Sequence, residues 1–363
     1  MATIGFIAGL VLLIGGAELL VRGASRLASR LGITPLIIGL TVVAFGTSSP
    51  ELAVSLKAAL DDQAGIAIGN VVGSNIFNVL FILGLSALIT PLVVDQQLVR
   101  FDIPLMVLLS GGVLMLSLDG QLTRLNGLLL VAGLAAYLGF LFYQNTRRQP
   151  LEARSMEGRP LVEEKKPDAA HGGAAWALDP VLVIVGLGLL VLGSRWFVEG
   201  AVAFAGYLGV SEQVIGLTII AAGTSLPEVV TSLLAALRGE RDIAIGNVVG
   251  SNVFNILGVL GVTSLVAPSG IAVGSAMLSF DIPVMLAVAL ACLPICFTGG
   301  EISRWEGAVL LGYYGAYTLY LILAVTQHDA LAGLSGTMLY FVLPITLLTL
   351  IVLSLQERRR RSR

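Results

Sequence analysis

The sequence predicts an all-α polytopic membrane protein: a ten-helix core made of two inverted five-helix repeats, with an eleventh transmembrane helix at the C-terminus. Three observations predict it. Of 363 residues, 56% are apolar and 12% charged, with a mean hydropathy of +0.93. A soluble domain carries about a quarter charged residues, so this chain cannot solvate a water-facing surface of ordinary size, and a soluble globular enzyme is excluded. The apolar residues fall in continuous runs, which excludes a membrane β-barrel of period 2. The sequence also matches itself at a shift of 177 residues.

Runs of roughly 18 or more apolar residues, enough to cross a bilayer, begin near residues 3, 33, 67, 101, 124, 180, 211, 243, 277, 304 and 337. They divide the chain into a first half at 1–143, a polar linker at 144–179 and a second half at 180–326. An extra span with a basic tail follows at 327–363. The linker holds Pro150, Pro160, Pro167 and a Gly-Gly pair, and is expected to be cytoplasmic and largely disordered.

If eleven spans alternate, 18 of the 21 Lys and Arg residues fall on one side: Arg22, Arg26, Arg30, Arg100, the linker residues, Arg238, Arg241, Arg304 and the tail. Only Lys57, Arg124 and Arg195 fall on the other. The positive-inside rule makes the first side cytoplasmic, with the N-terminus outside and the C-terminus inside an inner, cytoplasmic membrane. Met1 to Thr3 lacks a basic segment ahead of the first apolar run, so that run is expected to remain a membrane helix rather than a cleaved signal. Arg358 to Arg361 are expected to anchor at anionic headgroups of the bilayer.

The repeat is carried by two segments. Residues 38–51, IGLTVVAFGTSSPE, match 215–228, IGLTIIAAGTSLPE; residues 66–80, IAIGNVVGSNIFNVL, match 243–257, IAIGNVVGSNVFNIL, at thirteen of fifteen positions. Five spans separate the copies, so the second enters from the opposite face. In inverted repeats, ion sites lie near the midplane between the halves, on discontinuous helices.

Pro50 and Pro227 remove a backbone donor in mid-span and break the helix. Such backbone survives in a membrane where it lines a cavity or packs within protein, and the carbonyls expected to be freed as cation ligands are those near Ala44 and Ala221. Thr47, Ser48 and Glu51 share a helical face, as do Thr224, Ser225 and Glu228. Ser74 shares a face with Asn78, and Ser251 with Asn255, while Gly69, Gly73, Gly246 and Gly250 let backbones approach. Asn75 and Asn252 point elsewhere and are read as caps of the broken helices. The resulting set is all oxygen, which selects hard cations such as Ca²⁺ or Na⁺. Hydroxyls and amides in membrane helices also serve as plain interhelical hydrogen-bond partners. A mid-membrane carboxylate costs at least about 2.5 kcal/mol, so two at equivalent repeat positions point to function.

The remaining polar residues are read structurally. Asp102 and Asp281, each two before a proline, resemble helix N-caps. Glu18 with Arg22, and Arg195 with Glu199, are read as interfacial ion pairs. Cys292 and Cys296 are buried core residues with no partner for a disulfide or zinc site, and His171 and His328 sit in loops. No HExxH or GxSxG motif is present, so the chain is read as a transporter and not an enzyme, with no cofactor.

GTSSPE with GNVVGSNIFN, and GTSLPE with GNVVGSNVFN, resemble the two alpha-repeats of the calcium/cation antiporter superfamily, closest to its prokaryotic sodium/calcium exchanger branch. The resemblance covers spans one to ten, and the eleventh departs from the ten-helix pattern. It implies Na⁺/Ca²⁺ antiport, with Ca²⁺ on Glu51 and Glu228 and oxygens from Thr47 and Thr224. It further implies Na⁺ sites from Ala44, Ser48, Ser74, Ala221, Ser225 and Ser251, with Asn78 and Asn255 between them. Several relatives, including potassium-dependent ones, carry Asp where this chain has Asn255, which argues against potassium coupling. The resemblance implies three Na⁺ per Ca²⁺; two carboxylates alone balance one Ca²⁺, two Na⁺ or two H⁺. A cation/proton antiporter using the same glutamates is the main alternative, and a passive cation channel a second.

Overall fold

A computed structural model describes residues 2–61, 63–156, 174–207, 221–297 and 300–361. The helices are α1 (Ala2–Leu31), α2 (Pro35–Thr47), α3 (Ser49–Leu60), α4 (Gly65–Ile89), α5 (Leu98–Leu116) and α6 (Arg124–Met156) in the first half. The second half has α7 (Ala174–Tyr207), a turn at Ala221–Gly223, α8 (Leu226–Leu237), α9 (Arg241–Val266), α10 (Met277–Phe297) and α11 (Arg304–Val325). Helix α12 (Ala330–Thr349) follows, its helical course continuing to Arg361.

Among the described residues nine helices are long and apolar enough to span a membrane, and α2 with α3 forms one further span bent by 43°. The expected span from near residue 211 is described only from Ala221 onward, ending as α8. The last span begins at Ala330 rather than near 337, because Gly333 and Gly336 are accommodated within the helix. Of the expected linker, 144–156 and 174–179 continue α6 and α7 as helix, and 157–173 lie outside the described residues. His171 falls there, while His328 lies in the turn between α11 and α12.

Helices α4 and α9, which carry the GNVVGSN segments, form the centre. Every residue of α9 from Ile243 to Gly261 is buried. Both helices loosen into a π turn at the same repeat position, Asn78–Leu83 and Asn255–Leu260. Gly246 and Gly250 allow α9 to touch the backbone of α2, where a Cβ would fall 2.9 Å from Leu36 O and 2.7 Å from Leu40 Cα. The residues that the repeat sets against Gly69 and Gly73, 213–220, lie outside the described set. Cys292 and Cys296 are buried free thiols of α10, as expected.

Helices α1 and α7 cross antiparallel outside this centre. A Cβ on Gly9 would meet Gly193 O at 2.8 Å, and one on Gly16 would meet Gly186 O at 2.8 Å. Gly9 and Gly186 are repeat equivalents, as are Gly16 and Gly193, so both helices present the same glycines at the crossing. Two antiparallel two-residue ladders tie the halves at their rims. One joins β1 (Leu92–Val93) to β4 (Glu301–Ile302), and the other joins β2 (Gln121–Leu122) to β3 (Ile271–Ala272). Helix α12 packs at the periphery against α10 and α11, with Tyr313 Oη donating to Thr346 Oγ1.

Asp102 and Asp281 are not N-caps. Both already have helical neighbours on the N-terminal side, since the chain turns helical at Leu98 and Met277, and the Asp102 side chain caps no backbone donor. They accept tyrosine hydroxyls from the next helix instead: Tyr137 on Asp102 at 3.1 Å and Tyr317 on Asp281 at 2.9 Å. The two expected ion pairs are present, Glu18 with Arg22 and Arg195 with Glu199, the latter at 3.0 Å.

Candidate cation site

The breaks expected at the prolines form at Ser48 and Ser225, whose backbone (ψ 5° and 8°) leaves the helical region. Glu51 and Glu228 then lie in the first turns of α3 and α8, both fully buried. Such placement favours negative charge, because the free N–H ends of a helix point at it.

The halves meet by exchange of side chains. Ser48 Oγ donates to Glu228 Oε1 at 3.1 Å, and Ser225 Oγ donates to Glu51 Oε1 at 2.9 Å. Ser225 Oγ also lies 3.2 Å from Ser74 Oγ, bringing α4 into the cluster. Thr47 Oγ1 donates to Asn247 Oδ1 at 3.0 Å, and Thr224 Oγ1 to Asn70 Oδ1 at 3.4 Å. The Ser–Glu and Thr–Asn contacts each recur with the residue numbers shifted by 177, so the pseudo-twofold is written in side chains; the Ser225–Ser74 contact does not recur, and Ser251 Oγ has no hydrogen-bond partner among the described residues.

Asn70, Asn247, Ser55 and Ser232 belong to this constellation and escape the spacing argument. Asn70 Nδ2 donates to Ser55 Oγ at 3.0 Å and to the Glu51 carbonyl at 3.2 Å. Asn247 Nδ2 donates to Ser232 Oγ at 2.9 Å. These amides brace the first turn behind each glutamate. The sequence does mark them: both Asn residues lie inside the near-identical repeat segment, and each Ser lies one turn after its glutamate.

Asn75 and Asn252 do not cap the broken helices. They cross between α4 and α9: Asn78 Nδ2 donates to Asn252 Oδ1 at 2.9 Å, and Asn255 Nδ2 donates to Asn75 Oδ1 at 3.1 Å. Asn75 and Asn252 also reach each other's backbone, Asn75 Nδ2 to Asn252 O at 3.3 Å and Asn252 Nδ2 to Asn75 O at 3.4 Å, so their donors are spent between the central helices and not at the breaks. Their cross-bonds commit the NH₂ groups of Asn78 and Asn255. The Oδ1 atoms of those two residues stay buried without a hydrogen-bond partner among the described residues. Glu51 Oε2, Glu228 Oε2 and Ser251 Oγ are in the same condition. A buried polar atom left unpaired is costly.

The carbonyl of Ala44 is not freed as expected, because it accepts the backbone N–H of Ser48 at 3.0 Å. A proline at position 50 lacks the N–H that would reach Gly46, so the Gly46 carbonyl loses its i+4 helical donor. In the second half the equivalent carbonyl, Gly223 O, accepts Ser194 Oγ from α7 at 2.6 Å. Ala221 stands at the start of the described turn. Among the described residues no group of three His, Cys, Asp or Glu side chains converges. The polar groups gathered here are two carboxylates among hydroxyls, amides and carbonyls, whose oxygens are of the hard kind.

The family profile described as "Sodium/calcium exchanger protein" matches residues 1–143 and 178–323. The inner membrane protein YrbG of Escherichia coli is 40% identical over 318 residues, covering 86% of this chain and 94% of YrbG. The sodium/calcium exchanger MaX1 of Methanosarcina acetivorans is 36% identical over 351 residues, covering 88% of this chain and 99% of MaX1. The solved structure of the sodium-calcium exchanger NCX_Mj soaked with 10 mM Na⁺ superposes with a TM-score of 0.72 at 31% identity, over 90% of this chain and 99% of that one. With crossed carboxylates between inverted halves, a multi-pass helical fold and relatives that are exchangers rather than enzymes, the chain belongs to the sodium/calcium exchanger protein family.

Proposed function

We propose that the protein is a secondary antiporter that exchanges Na⁺ for Ca²⁺ by alternating access at one site, with Glu51 and Glu228 carrying the site's charge. The observation that carries this reading is the crossed pairing of Ser48 with Glu228 and of Ser225 with Glu51. Each glutamate is held by its own half and by a hydroxyl of the other, so a movement of one half against the other rebuilds the coordination of both. Thr47, Thr224, Ser74, Ser251, Asn78, Asn255, the second lone pair of the Ala44 carbonyl and the backbone at Ala221 complete the proposed set, with Na⁺ and Ca²⁺ competing for it. A carboxylate pair emptied of cations is unfavourable in a membrane interior, so the loaded site is the form that changes sides. That requirement converts two ion gradients into coupled exchange.

The arginine-rich loops support a cytoplasmic-membrane orientation with the N-terminus outside, the C-terminus inside, and residues 144–179 as a cytoplasmic linker between the halves. The test is ⁴⁵Ca²⁺ uptake into proteoliposomes loaded with Na⁺, beside K⁺-loaded and pH-jump controls. Uptake with internal Na⁺ alone is the expected result, and its response to an imposed voltage reports whether more than two Na⁺ move per Ca²⁺. Uptake driven by the pH jump alone would replace Na⁺ by H⁺ in this account.

A further inference from the structure

The serine–glutamate and asparagine contacts between the halves come in pairs related by the 177-residue shift, and two interhelical ion pairs of α1 do not: Arg30 with Asp179 of α7 at 2.9 Å, whose shifted positions carry no charge, and Glu18 with Arg238, whose shifted positions do. Glu18 of α1 pairs with Arg238 at the end of α8, and the neighbouring Ser25 Oγ donates to Glu240 Oε1 at 2.7 Å. These contacts fasten α1 to the turn after α8 on the face of the arginine-rich loops. The shift carries Glu18 to Arg195 and Arg238 to Asp61, which is a pair of the same kind with its charges reversed. In the structure that second pair is not made: Arg195 is bound to Glu199 of its own helix, both side chains are largely exposed, and Asp61 is exposed. A cleft of about 430 Å³ lies on this side, bounded by Phe45, Gly46 and Ser49 of the first break and by Leu187 and Arg195 of α7.

An inverted repeat reaches its oppositely facing state when the two halves exchange conformations. We propose that Arg195 and Asp61 form an ion pair in that state, taking over as Glu18 and Arg238 separate, so that one salt bridge of reversed sign fastens each face in turn. The sequence supplies a resting partner for each long helix. Glu18 has Arg22, and Arg195 has Glu199, each one turn away and likewise of reversed sign. A charge released by the turn opposite falls back on its own helix, so neither is left bare during the switch. Exposed pairs of this kind are weak and screened by salt, which suits contacts that must break in every cycle.

The inference rests on the alternating-access reading, and its test is separable from it. In the full chain, with Cys292→Ala and Cys296→Ala, the double variants Glu18→Cys/Arg238→Cys and Asp61→Cys/Arg195→Cys are oxidised in membranes, and loss of two alkylatable thiols is read by intact mass. Both pairs are expected to close, and either closure to stop ⁴⁵Ca²⁺ exchange until reduced. If Asp61→Cys/Arg195→Cys keeps both thiols in Na⁺ and in Ca²⁺ while Glu18→Cys/Arg238→Cys closes, the inference is overturned. Thiol loss is scored without transport, so a parent protein with no Na⁺-driven uptake would contradict the exchange reading and leave the contact still decided. A charge swap gives an independent reading: Asp61→Arg slows turnover severalfold with the apparent KM for Ca²⁺ unchanged, and adding Arg195→Asp restores it. A double variant no faster than Asp61→Arg would equally overturn the proposal.

Discussion

Ser225 of the second half holds Glu51 of the first at 2.9 Å, and the mirrored bond from Ser48 holds Glu228 at 3.1 Å. Neither half therefore owns a complete carboxylate site. A hydrogen bond to a charged group contributes about 1.5–3 kcal/mol, so Ser225→Ala or Ser48→Ala is expected to weaken apparent cation affinity roughly tenfold or more. The measurement is the Na⁺ and Ca²⁺ dependence of exchange in each variant. A serine acting only as packing would leave both dependences unchanged.

Asn247 ties three partners at once: the Thr47 hydroxyl, the Ser232 hydroxyl and the Glu228 carbonyl. Asn247→Ala leaves these groups buried without it, at a cost of about 1–3 kcal/mol for each group left unsatisfied. The expected outcome is a lower midpoint of thermal unfolding in detergent. Asn70→Ala is expected to do less, because Asn70 is only partly buried and its bond to Thr224 is longer, 3.4 Å.

Gly15 and Gly16 give a matched pair on one helix. A Cβ on Gly16 would sit 2.8 Å from the Gly186 carbonyl, whereas one on Gly15 would meet nothing within 4 Å among the described residues. Gly16→Val is expected to part α1 from α7 and abolish exchange, while Gly15→Val is tolerated. Flux assays on correctly inserted protein check both; equal effects of the two would remove the crossing from the account.

Protons and cations compete for the same carboxylate oxygens, because a ligand must be deprotonated to bind. Exchange is expected to fall on acidification and to recover when Ca²⁺ is raised at the same pH. Initial rates over a grid of pH and Ca²⁺ concentration test this, and inhibition that no cation concentration relieves would contradict it.

Much of this site is legible in the sequence because the repeat prints it twice. Glu51 and Glu228 stand out as carboxylates inside apolar runs, and Thr47, Ser48 and their copies follow from helical spacing. What spacing cannot give is the partner on another helix. Asp102 looks like a cap because a proline follows it, and only the neighbouring helix reveals Tyr137 as its donor. Asn75 and Asn252 lie 177 residues apart and meet through the crossing of α4 and α9, which no local pattern announces. The carbonyl that loses its donor differs from the one spacing suggests for a simpler reason. A proline deprives the residue four before it, which is Gly46, while Ala44 keeps its bond to Ser48. Glu18 finds Arg238 across 220 residues, while its bond to Arg22 is the i, i+4 pair that sequence alone supplies.

The most direct test of the central claim is Na⁺-driven ⁴⁵Ca²⁺ uptake by Glu51→Gln and Glu228→Gln in proteoliposomes, with folding checked by monodisperse elution. Each substitution keeps the shape of the side chain and removes one charge from the shared site. Both variants are expected to fold and to lose uptake. Near-normal uptake by either would show that exchange does not depend on the crossed carboxylate pair.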